Sequence, residues 1–234
     1  MALKDIRHGA DRKAPRAARA RDAAKAARSG RAGGGRHGQE KKSFTADRAG
    51  ALFCLCLAAR EEPDVTLWSS LAEGREECPA LYRRCLSYLK SALEGSSSPK
   101  GLQSRLEEVD SMIDLTGSTE GGSLGDAIAL AALELLRTGI ASLIGGEEET
   151  DIPSSARSLD LALLSDVLDA REFDEESRQA ALESEGALLD ELLEMSRKLE
   201  APDGERGAVR AALRRALGDG VSAAGIEATQ PALA

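Results

Sequence analysis

Histidine and aromatic side chains are nearly missing from this chain, and each shortage removes a class of chemistry. Its 234 residues hold 2 histidines, 1 Trp, 2 Tyr and 3 Phe. Both histidines, His8 and His37, precede residue 45. The remainder of the chain therefore lacks the base of a Ser-His or Cys-His pair and the imidazole ligands of the common catalytic zinc sites. With aromatics at 3% and hydrophobic residues at 42%, a core has to be built from Leu and Ala, which favours helix over strand.

Cysteine is scarce as well. Cys54, Cys56, Cys78 and Cys85 are too few and too irregularly spaced for a disulfide framework. Cys54 and Cys56, two residues apart on a helix, face different sides, whereas Cys78 and Cys85 share one. With no Cys-x-x-Cys pair, buried reduced thiols in a cytoplasm are the expectation. No phosphate loop or dinucleotide fingerprint is present, so no cofactor is implied. The apolar run from Ala49 to Leu57 is too short to cross a bilayer. The longer run from Leu124 to Ile144 carries Glu134 and Arg137 near its middle, each costing about 2.5 to 3.5 kcal/mol in lipid. No membrane contact is expected.

Charge is present in quantity and unevenly placed. Residues 1 to 48 hold 14 Lys/Arg against 5 Asp/Glu, and the rest 17 against 35, so a basic head of +9 precedes a body of −18. An acidic body repels phosphate backbones, which leaves nucleic-acid contact to the head alone. Residues 1 to 44, rich in Arg, Ala and Gly with Leu3 and Ile6 as the larger aliphatics, read as a disordered basic tail. Residues 45 to 218 read as one all-α domain, a multi-helix bundle, and 219 to 234 as a C-terminal tail.

Eight helices are legible in that domain. The first opens at an N-cap Thr45 and is stopped by Pro63; a short one follows, with Val65, Leu67, Trp68 and Leu71, ended by Gly74. The third starts at Pro79 and stops at Gly95, and the fourth starts at Ser98-Pro99 with Leu102, Leu106, Val109 and Ile113 in one stripe. After a loop from Thr116 to Gly122 comes Leu124 to Ile144, apolar on most sides and expected to be central. Helices over 154–171, over 175–200 behind an Asp174 cap, and over 204–217 behind an Asp203 cap complete the bundle.

Several motifs invite sharper readings. Gly121-Gly122-Ser123-Leu124-Gly125 matches the nucleophile elbow of α/β-hydrolases, but that elbow needs a strand before it and a histidine after it. Ser123 reads instead as an N-cap, with Asp126 completing a capping box. Ser87 and Lys90 have the spacing of a serine nucleophile and its base, without the companion motifs, and read as exposed polar positions. Glu147, Glu148, Glu149 and Asp151 lack the alternating ligands and glycine of a calcium loop.

The stretch Ala59-Arg60-Glu61-Glu62-Pro63-Asp64-Val65, with its arginine and proline, is similar to the Cys-Glu-Arg-x-x-Pro-Asn-Tyr pattern of the YjaG-like bacterial proteins, a family of unknown function. Leu81-Tyr82-Arg83-Arg84-Cys85-Leu86 resembles that family's Tyr-Arg-Arg helix, Leu106-Glu107-Glu108 its Leu-Glu-x-x-Glu segment, and Asp126-Ala127 its central Asp-Ala pair. Val209 to Leu217 with Gly225-Ile226 resembles its closing helix. The similarity covers most of residues 49 to 226 and implies an all-helical, cytoplasmic bacterial protein, with no activity to transfer.

Two function classes follow. The leading one is a non-enzymatic helical protein that binds another protein, an immunity or inhibitor protein being one form, because an acidic surface suits a basic partner. The other is a carboxylate- and arginine-based enzyme or small-molecule binder. Arg60, Pro63, Trp68, Tyr82, Arg83 and Arg84 are the candidate interaction or pocket residues. Their gathering around one cavity would favour the second class; a flat acidic face would favour the first.

Overall fold

The computed structural model describes residues 46–117, 123–145, 151–200 and 205–218, and within them the protein is an all-α bundle. Its helices are α1 (Arg48–Arg60), α2 (Glu62–Ser70), α3 (Cys78–Leu93), α4 (Pro99–Gly117), α5 (Leu124–Ile144), α6 (Ile152–Ala170), α7 (Glu175–Arg197) and α8 (Glu205–Gly218), with a 3-10 turn at Lys198–Glu200. The basic tail, the proposed Thr45 and Asp203 caps, Glu147 to Glu149 and the C-terminal tail lie outside the described residues.

Local chemistry sets the helix ends. The first helix begins at Arg48, where Asp47 accepts the backbone N–H of Gly50 at 2.7 Å and so acts as the cap. Pro63 does not stop a helix at its own position: it sits in the first turn of α2. It has no N–H to give the carbonyl of Ala59, so α1 closes at Arg60 and the chain turns into α2 without a loop. Thr116 and Gly117, expected in a loop, continue α4; the Thr116 hydroxyl donates to the carbonyl of Ile113 at 2.7 Å. Asp151 and Asp174 cap α6 and α7 through Ser154 and Ser177.

The core is organised on two antiparallel helices. Every residue of α1 from Ala49 to Arg60 is buried, and α1 packs against α2, α3, α5, α6, α7 and α8. The long apolar α5 is central as expected, packed on α1, α2, α3, α4 and α6. It is long and apolar enough to cross a membrane, yet the other helices cover most of its surface, as they do for the core helix of a bundle. Small residues let the two axes approach: a Cβ added at Gly139 would lie 3.0 Å from Leu89, 3.1 Å from Cys54 and 3.4 Å from the carbonyl of Ala51. The side chains enclosed around this contact include Leu52, Phe53, Leu55, Leu57, Leu86, Leu89 and Leu133. Each is worth about 1.5 to 3 kcal/mol of apolar burial, more than a typical exposed ion pair at about 0 to 1 kcal/mol.

All four thiols are buried and free. Burial pushes Cys56 and Cys85 up to about 12 and raises Cys54 and Cys78 as well, so they behave as small core residues.

Candidate functional site: an acidic, leucine-bearing corner

The turn between α2 and α3 is built from underneath by three residues distant in sequence. Trp68 is buried in α2, and its indole N–H donates to Asp126 Oδ1 at 2.9 Å in the first turn of α5. Arg75 folds back beneath the turn, places its guanidinium 4.2 Å above the Trp68 ring and reaches the same Asp126 oxygen at 3.2 Å. Burial alone works against the Asp126 charge, but hydrogen bonds from Trp68 and Ser123, with Arg75 beside them, hold its carboxyl below the usual range. The other oxygen, Oδ2, accepts the backbone N–H of Ser123 at 2.9 Å, while Ser123 Oγ accepts the N–H of Asp126 at 3.2 Å. The capping box read from the sequence is therefore present, and its carboxylate also anchors the α2–α3 turn.

What this clasp holds outward is apolar and acidic. Leu67 and Leu71, one helical turn apart on a shared face, are 49% and 71% exposed. Around them Ser70, Ala72, Glu73, Glu76 and Glu77 are exposed, and Arg75, the one basic residue of the turn, is turned inward. Val65 and Trp68, on the opposite side of the same short helix, supply its core contacts. The sequence pattern had grouped the four apolar residues of α2 together; the structure divides them into two faces.

The candidate residues do not assemble around one centre. Arg60 binds Glu185 on α7 through both terminal nitrogens, at 2.5 and 2.9 Å. Tyr82 is fully buried and donates its hydroxyl to the carbonyl of Ala58 at 2.7 Å. Pro63 belongs to the start of α2, and Arg83 and Arg84 are exposed residues of α3 paired with Glu62 and Glu108. Trp68 alone of the six joins the corner. Arg75 and Asp126 were missed as its partners, since Asp126 was read as a cap and Arg75 had no local pattern to mark it.

Two other motifs are placed plainly. Ser87 is exposed on α3 as expected, whereas Lys90, expected to be exposed with it, is half-buried. Among the described residues no group of three His, Cys, Asp or Glu is arranged to hold a metal ion. Arg60 and Glu185 form an ion pair shielded from solvent, and burial raises the carboxyl of the nearby Asp160, itself only 6% exposed, to about 7. These residues come from α1, α6 and α7.

The fold and its polar contacts define an all-α helical bundle with a structured acidic corner. No family model, curated protein or solved structure matches the chain.

Proposed function

We propose that the protein is a non-catalytic helical binding protein that receives a basic, aliphatic-bearing segment of another protein on the outer face of α2 and the turn behind it. The observation that supports this reading is the exposure of Leu67 and Leu71 among Glu73, Glu76 and Glu77. Leucines of this exposure supply the apolar centre of an interface, and carboxylates around them supply a rim that attracts lysine and arginine. The excess of 35 Asp/Glu over 17 Lys/Arg beyond residue 48 favours a basic partner at longer range. An immunity or inhibitor role is one form of such binding, and a cytoplasmic setting is part of the reading. Kinship with the YjaG-like family stands beside it as a proposal resting on the order and spacing of short motifs. Nucleic-acid contact through residues 1 to 44 is a separate proposal, carried by the charge of that segment.

The test uses the full chain as bait, in wild-type form and as the Leu67→Ser/Leu71→Ser double variant, whose changed side chains are already in solvent. The expected result is a basic protein bound by the wild type, released by added salt, and bound at least about tenfold more weakly by the variant. Capture that is indifferent to both the substitutions and the salt overturns the reading.

A further inference from the structure

Residues 1 to 16 combine basic charge with aliphatic side chains: five Lys/Arg stand against two Asp, and Leu3 and Ile6 are the only Leu, Ile or Val before residue 46. Leu3 and Ile6 are three positions apart, a spacing that one helical turn would bring to a single side. On the acidic corner Leu67 and Leu71 are likewise paired, 49% and 71% exposed. The other exposed large hydrophobics among the described residues, Leu115, Ile144 and Phe173, come singly from α4, α5 and the α6–α7 turn. The corner is thus where paired leucines lie among carboxylates, and Arg75, the one base of the turn, is drawn inward against Trp68.

Reach does not limit a contact between the two. The chain enters α1 beside the C-terminal end of α5, where the N–H of Asp47 donates to the carbonyl of Ser142 at 3.3 Å. The corner is tied to the other end of α5 through Asp126. Asp126 precedes Ser142 by 16 residues of the same helix, about 24 Å along its axis. Residues 17 to 46 join the basic segment to the start of α1, and a stretch of that length spans about 45 Å as a helix and up to about 100 Å when extended. Tethering over such a distance sets an effective concentration of about 1 mM at the corner.

We propose that residues 1 to 16 dock in cis on the face bearing Leu67 and Leu71, so that an incoming basic partner has to displace them. Leu3 and Ile6 lie against the two leucines, and the surrounding Lys/Arg face Glu73, Glu76 and Glu77. The contact is favoured by apolar burial at its centre and by opposite charge at its rim. It rests on the reading of the corner as a receptor for basic, aliphatic-bearing segments and adds to it a built-in competitor.

The probe is a fluorescent synthetic peptide of residues 1 to 16, titrated by anisotropy into two full chains, wild type and Leu3→Ser/Ile6→Ser. The variant is expected to bind the peptide, more weakly as salt is added. For a peptide Kd of about 0.1 mM, the tethered copy at about 1 mM weakens the apparent affinity of the wild type about tenfold. Adding Leu67→Ser/Leu71→Ser to the variant should abolish binding; binding that persists puts the peptide elsewhere and overturns the docking site. Equal affinity of the two chains leaves the corner a receptor for basic segments and overturns the contact in cis. No binding to the Leu3→Ser/Ile6→Ser chain overturns docking of this segment, and capture of a basic protein through Leu67 and Leu71 then decides the receptor reading by itself. Wild-type dimerisation that rises with concentration and is absent from Leu3→Ser/Ile6→Ser would place the segment of a second copy on the corner, against the intramolecular contact.

Discussion

The guanidinium of Arg75 stacks 4.2 Å from the ring of Trp68, and both side chains meet on one oxygen of Asp126. A residue of the α2–α3 turn is thereby clamped to α2 and to the start of α5 at once. The exposed face bearing Leu67 and Leu71 is thus held in place by contacts within the protein itself, which would lower the ordering cost of the binding proposed for it.

Loss of either member of the clamp should therefore cost less in the absence of the other. Arg75→Ala and Trp68→Leu, measured singly and together by urea unfolding, are expected to show a coupling of about 0.5 to 2 kcal/mol, the range of partly desolvated cation–π pairs. Strictly additive losses would show that the stack contributes nothing of its own.

Ser123 gives a second test, because its hydroxyl works in both directions. It accepts from the Asp126 N–H and donates to Asp126 Oδ2 at 2.9 Å. Ser123→Ala is expected to lose about 0.5 to 2 kcal/mol. Sequence alone allows Asp here as an alternative cap, but an aspartate has no hydrogen for Oδ2 and would set a second carboxylate against it. Ser123→Asp should accordingly lose stability too, while Ser123→Thr keeps both bonds. A Ser123→Asp variant as stable as wild type would count against the two-way bond, and serine-dependent labelling by a fluorophosphonate would revive the nucleophile reading.

Gly139 tests the contact on which the core rests. A leucine there must displace Leu89, Cys54 and the backbone of Ala51, all within 3.4 Å of the added Cβ position. The helix-propensity gain of about 1 kcal/mol over glycine is expected to be outweighed, for a net loss of about 1 to 3 kcal/mol in chemical denaturation. A neutral or stabilising Gly139→Leu would mean that α1 and α5 can separate without cost.

Local signals in the sequence carried most of the fold. Periodic apolar residues and the caps at Ser123 and Asp174 marked the helices, because these depend on neighbours within about four residues. The placement of α1 was less legible: its composition marked a core helix, but not that it would touch nearly every other helix. The cap of that helix is Asp47 and not Thr45, since a cap is decided by which side chain reaches a free N–H. Pro63 was read as a terminator because its missing N–H ends one helix, although the same absence suits it to begin the next.

The candidate site divides in the same way. The sequence by itself determined an acidic, histidine-free helical body and therefore which chemistries the body lacks. It also pointed to Arg60, Trp68 and Tyr82 as polar residues with something to hold. Their partners were decided by tertiary structure: Arg60 meets Glu185 across 125 positions, Trp68 meets Asp126 across 58, and Tyr82 meets Ala58 across 24. Which leucines of α2 and the turn behind it face solvent was settled there too. Exposure depends on which helices lie alongside, and packing over such sequence separations is set by the joint burial of the described helices, leaving no periodic trace in any one of them.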